Sequence, residues 1–132
     1  MMYDNELKHY GVKGMKLGVR RSIGVRSRAA AVYKSLSKTE NRNIKRLEKR
    51  KEKRGGLTDR ETKLLKNSKK ALKEFANKRD VLLKDIREED IRRGERAFKT
   101  HFLFGGLGNA VLTTIDLARG EREFQRLMNK NR

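Results

Sequence analysis

The chain has 132 residues, with 36 Lys and Arg against 17 Asp and Glu, no cysteine and no proline. That length allows one small core and excludes two independent ones. A net charge of +19 repels further copies and attracts polyanions, while the lack of cysteine excludes disulfides and thiolate zinc sites. Without proline, glycine alone punctuates a chain rich in Lys, Arg, Glu, Leu and Ala, which are good helix formers. The pattern predicts an all-α fold: an extended basic N-terminal arm over residues 1–24, a basic helical segment over 25–54, and a helical core over 57–132. That core is expected as a helical hairpin or small helical bundle with a coiled-coil-like seam. Of 31 Leu, Ile, Val and Phe residues, 11 lie in 1–60 and 20 in 61–132, so the later half carries the drive for burial. The first half is expected to need a partner to order it.

Glycines at 11, 14, 18 and 24 each cost a helix up to about 1 kcal/mol relative to alanine, which predicts the extended arm. Within it lies His9-Tyr10-Gly11-Val12-Lys13-Gly14-Met15-Lys16-Leu17-Gly18-Val19-Arg20-Arg21, a string that fits no regular period. It resembles the N-terminal H-x-G-V-K-G-M-K-W-G-V-R-R motif of small proteins encoded by tailed bacteriophages and prophages of gut-type bacteria, with Leu17 in place of Trp. The resemblance covers 13 of 132 residues. It implies a phage origin, and with it a place in the virion or host cytoplasm, but no mechanism. His9, Gly11, Gly14, Met15, Leu17 and Gly18 are the candidate docking motif.

Ser27 to Ser35 has Ala29, Val32, Tyr33 and Leu36 on one side of a short helix. Ser37-Lys38-Thr39-Glu40 has the capping-box pattern and marks either a new helix start or a coincidence inside a longer helix. From Glu40 to Arg54 only Ile44 and Leu47 are apolar, so this is a solvated basic helix resting on two aliphatic side chains. Gly55-Gly56 ends it in a turn. Thr58-Asp59-Arg60-Glu61 is a second capping box and opens the next helix.

Leu65, Leu72, Phe75, Leu82 and Ile86 then draw a seam for core or oligomer packing. Acid-first pairs at i and i+4 (Glu74 with Lys78, Asp80 with Lys84, Glu88 with Arg92, Glu89 with Arg93) carry that helix to about Arg93. Gly94 kinks or caps it. The segment from Phe102 to Leu127 is the most apolar and is expected to form the hydrophobic centre. Leu107, Val111, Ile115 and Ala118 share a face of a helix running from about Gly106 to Gly120. Gly105, Gly106 and Gly108 form the turn before it or admit a close backbone.

The inventory for chemistry is thin. His9 and His101 are the two histidines, no metal pattern joins them, and no phosphate-loop signature accompanies the glycines of the arm. No enzyme activity, metal or cofactor is expected. Glu88-Glu89-Asp90 is read as a salt-bridged surface. The candidate cationic contacts are Lys13, Lys16, Arg20, Arg21, Arg26 and Arg28 in the arm and its exit, and Arg42, Lys45, Arg46, Lys49, Arg50, Lys53 and Arg54 in the basic helix. They cover most of that helix's circumference and have no aromatic neighbours. This favours nonspecific contact with phosphates over base reading or stacking.

The expected partner is nucleic acid or an acidic phage protein, within a homo-oligomer or a larger virion assembly. Two other functions fit the composition: an inhibitor of a host or defence protein, and a membrane-active element around Phe102 to Ala118 delivered at genome entry.

Overall fold

The structure is a computed structural model that describes the backbone of residues 17–104 and 106–130, and side chains within 20–100 and 113–130. Four helices follow one another: α1 Leu17–Arg54, α2 Asp59–Leu83, α3 Glu88–Phe104 and α4 Gly106–Lys130. Among the described residues there is no strand, so the fold is all-α. α1 has 38 residues and at 1.5 Å per residue is about 57 Å long. It packs against each of the other three helices.

α1 begins at Leu17, inside the segment expected to be extended. The glycine penalty of about 1 kcal/mol per residue is small beside the tertiary contacts made here. Ser22 donates to Glu123 Oε2 at 3.0 Å, and Arg26 reaches the carbonyls of Leu82 and Lys84 at 2.8 Å each. The remainder of the arm, 1–16, lies outside the described residues. Ser37-Lys38-Thr39-Glu40 falls within α1 and starts nothing; Thr39 Oγ1 donates to the Ser35 carbonyl at 3.3 Å, one turn back.

The core is not confined to 57–132. Ala29, Ala30, Ala31, Val32 and Tyr33 are five consecutive buried residues, as a helix shows only where neighbours enclose it on every side. Ala29, Ala30 and Tyr33 cluster with Leu82 of α2 and Phe124 of α4, and Tyr33 stacks at a tilt on Phe75 with centroids 5.9 Å apart. The first half therefore finds its packing partner within the same chain. Further along α1, Ile44 and Leu47 are the buried pair, as their isolation among charges predicts.

The turn at Gly55-Gly56 is present, with Gly55 at φ 75. Thr58 caps α2: the Glu61 N–H donates to Thr58 Oγ1 at 3.2 Å, and that hydroxyl donates to Glu61 Oε1 at 3.1 Å. Of the seam, Leu82 is fully buried, Leu65, Leu72 and Phe75 are half-buried, and Ile86 lies past the helix end. α2 stops at Leu83 rather than near Arg93, and Asp85 adopts φ 61. The cause is tertiary, because the Arg26 guanidinium takes up carbonyls at this terminus, where a cation also complements the helix dipole.

α3 restarts with Glu88, Glu89 and Asp90 in its first turn, where carboxylates are favoured. They form the expected ion-paired surface: Arg92 meets Glu88 at 2.8 Å, Arg93 meets Glu89 at 3.5 Å, and Arg87 meets Asp90 at 3.6 Å. Gly94 does not cap a helix; it lies inside α3, buried against Ser27.

α4 runs through Gly120 to Lys130, and Gly120 is a contact point against Ala29. The described part of its expected apolar face is turned out, with Ile115 39% exposed and Ala118 exposed. The face that meets the core carries Leu117, Gly120, Phe124 and Leu127, at spacings of three, four and three. The side chains from His101 to Leu112, and what Gly105, Gly106 and Gly108 meet, lie outside the described residues.

Candidate nucleic-acid interface

Some of the cations are committed to the fold. Arg26 caps α2. Arg28 Nε lies 3.5 Å from Asp116 Oδ1, and Asp116 is only 7% exposed, so this pair ties α1 to α4. Arg50 and Arg54 turn toward α2, with Nη1 atoms 3.7 and 3.2 Å from the Glu61 carboxylate. Four of the sequence-derived candidates thus meet backbone carbonyls or carboxylates of the same molecule. A cleft of about 200 Å³ between α1 and α3, lined in part by Arg20, Ile23, Arg28 and Arg93, has two guanidiniums that already face carboxylates.

The remaining cations of α1 are ordered on the surface. Ile44 and Leu47 fix its inward face; at 100° per residue, Lys38, Arg42, Lys45, Arg46, Lys49 and Lys53 fall on the opposite one. All six are exposed, and among the described residues none forms an ion pair. With Arg50, Lys51 and Arg54 exposed on other arcs near the helix end, cations reach most of the circumference there, and these six form the outward stripe. From Lys38 to Lys53 the stripe extends about 22 Å.

A second stripe escaped the sequence reading. Lys63, Lys66, Lys70 and Lys73 recur at three, four and three residues on the face of α2 opposite Leu65, Leu72 and Phe75, and all four are exposed. The spacing is visible in the sequence, interleaved with the apolar seam. Residues 38–73, the outer half of the α1–α2 hairpin, carry 15 basic and 5 acidic side chains. This is just over half the chain's net charge. Arg20 and Arg21 are exposed near the start of α1. Lys13, Lys16, His9, Gly11, Gly14 and Met15 lie outside the described residues, while Leu17 and Gly18 form the first turn of α1.

A family model described as a family of unknown function (DUF7211) matches residues 2–23. No curated protein and no solved structure matches the chain. The matched segment holds the glycine-rich string and the first residues of α1, and it stops short of both lysine stripes.

The inner half of the hairpin is held by a polar junction. Glu121 of α4 accepts from Lys78 Nζ at 2.9 Å and from the Tyr33 hydroxyl at 3.1 Å, and Lys78 lies over the Tyr33 and Phe124 rings at 5.8 and 5.7 Å. The Lys78 hydrogen bond, with the Tyr33 bond behind it, holds the Glu121 carboxyl below the usual carboxylate range against the opposing effect of burial. Burial first, then the bond to Glu121, pushes the Tyr33 hydroxyl up to about 12.

A depressed carboxylate adds stability above its unfolded value, about 4.3 for glutamate, and loses it as pH falls through the lower folded value. Wild type is therefore expected to exceed Glu121→Gln in stability at neutral pH, with a gap that shrinks on acidification, as read from urea midpoints along a pH series. A gap constant with pH would show that the charge of Glu121 contributes nothing to the fold.

Among the described residues no group of three or more His, Asp or Glu side chains is placed to hold a metal ion. No helix there is long and apolar enough to cross a membrane.

Proposed function

We propose that this protein is a phage-encoded, virion-associated or assembly protein that binds nucleic acid without sequence preference through its basic hairpin. The observation that carries this reading is the exposed stripe of Lys38, Arg42, Lys45, Arg46, Lys49 and Lys53, regular along the helix and unpaired among the described residues. Phosphate contacts position a protein without reading sequence, and a row of flexible cations with no aromatic residue suits them. An acidic protein partner is less well matched, because protein interfaces take an apolar or aromatic centre within a polar rim, and the stripe has none. The family resemblance at residues 9–21 supports the phage assignment.

The test is binding of unrelated duplex sequences across a salt series. Each neutralised phosphate contributes about 0.9 to the slope of log affinity against log salt, so five or six engaged cations give a slope of about −4.5 to −5.4. Equal affinity for the sequences and a slope in that range are expected. Salt-indifferent binding, or displacement of the duplex by polyglutamate at equal charge, would replace this reading with another partner.

A further inference from the structure

The two lysine stripes point away from each other. On α1 the charged face is opposite Ile44 and Leu47, and on α2 it is opposite Leu65, Leu72 and Phe75; these apolar positions lie on the inward faces of the two helices. Each stripe therefore occupies an outer edge of the hairpin. Helix axes pack 8–10 Å apart and each helix with its side chains is about 10–12 Å across, so the charged edges are separated by roughly 20 Å. The major groove is only about 12 Å wide. A hairpin of this width cannot enter one groove and touch both rims, and a duplex lying along one edge leaves the other in solvent.

Charge placed on one edge alone would serve a protein that coats a single duplex. Here the cross-hairpin ion pairs, Lys69 with Glu48 at 3.7 Å and Arg50 and Arg54 with Glu61, draw cations and anions inward between the helices. The outer edges are left with a clear excess of cations, six against Glu52 at the side of the α1 stripe and four against Asp59 and Glu74 on the α2 stripe. Such an arrangement offsets the mutual repulsion of two phosphate backbones by inserting cations between them.

We infer that the α1–α2 hairpin bridges two nucleic-acid duplexes, one along the α1 stripe and one along the α2 stripe. The inference rests on the proposed duplex binding and adds a second, simultaneous contact, so one protein molecule draws separate duplex segments together.

The experiment uses the full chain, at concentrations where sedimentation shows a monomer, with two short duplexes of unrelated sequence carrying a donor and an acceptor fluorophore. Energy transfer should rise as protein is added, pass through a maximum, and fall in excess protein, when each duplex is coated separately. The combined variant Lys63→Gln, Lys66→Gln, Lys70→Gln and Lys73→Gln alters only exposed positions. It should keep single-duplex affinity within about tenfold at low salt while losing energy transfer to background. The matching variant Arg42→Gln, Lys45→Gln, Lys49→Gln and Lys53→Gln should lose energy transfer likewise, with circular dichroism confirming that both remain helical.

Full energy transfer in either variant would overturn the bridge. So would single-duplex binding by wild type with no energy transfer at any ratio. Failure of wild type to bind even one duplex would instead remove the proposed function itself.

Discussion

Leu82→Ala is expected to destabilise the protein by about 2–5 kcal/mol, toward the upper end of that range. Leu82 is fully buried where α1, α2 and α4 meet, in a cluster with Ala29, Ala30, Tyr33 and Phe124. The cost of such a truncation depends on how far the surroundings collapse into the gap. Here two of the four buried residues clustered with it are alanines with no side chain to extend, and Tyr33 is held by its bond to Glu121. The gap should stay largely open. For a domain with a total stability of about 5–15 kcal/mol, the loss is a large share of the whole.

Urea unfolding should show the midpoint falling with little change in slope, because the surface exposed on unfolding is nearly the same. Leu65→Ala, at a half-buried position of the outer hairpin, should cost distinctly less. A loss below about 1 kcal/mol for Leu82→Ala would mean that the junction is not the centre of the fold.

The features legible in the sequence are those set by neighbours close in the chain. Thr58 and Glu61 find each other within one turn, Gly55 supplies a left-handed residue where the chain reverses, and Ile44 and Leu47 are inward because nothing else around them is apolar. What escaped depends on partners far away. Nothing in Val81 to Ile86 is a helix breaker, and α2 ends there because Arg26, more than fifty residues earlier, occupies its carbonyls.

The same long-range bonds explain why the binding candidates were read too broadly. Arg26, Arg28, Arg50 and Arg54 are indistinguishable by type from Arg42 or Lys49, and only the fold shows which already face a carbonyl or carboxylate. The α2 stripe was the reverse case. Its three-four-three spacing is local and readable, but its meaning depends on knowing that the opposite face of α2 is the buried one. Glycine carries a similar ambiguity: at 94 and 120 it suggested helix ends, whereas a glycine inside a helix also marks where another backbone comes close.

That last distinction can be tested by the sign of a single substitution made at two sites. Glycine to alanine inside a helix gains about 0.8–1 kcal/mol from propensity wherever a methyl group fits. At Gly24 of α1 the nearest atom to an added Cβ is Arg28 Nη1 at 3.4 Å, an ordinary van der Waals distance, so Gly24→Ala should stabilise by about that amount. At Gly94 of α3 the added Cβ would lie 2.6 Å from the Ser27 carbonyl carbon and 2.7 Å from its oxygen. These are backbone atoms of α1 and cannot rotate away.

The helices must separate instead, and overpacking of this kind costs about 1–3 kcal/mol, which outweighs the propensity gain. Gly94→Ala is therefore expected to be net destabilising, and Gly94→Val more so. Moving α3 outward from Ser27 also strains the Lys34–Glu95 ion pair, 3.0 Å long and one residue beyond the contact. Thermal melts of the two alanine variants should shift in opposite directions from wild type. If both rose together, the close approach of α3 to α1 would not exist in solution, and α3 would have to be placed against α1 in another way.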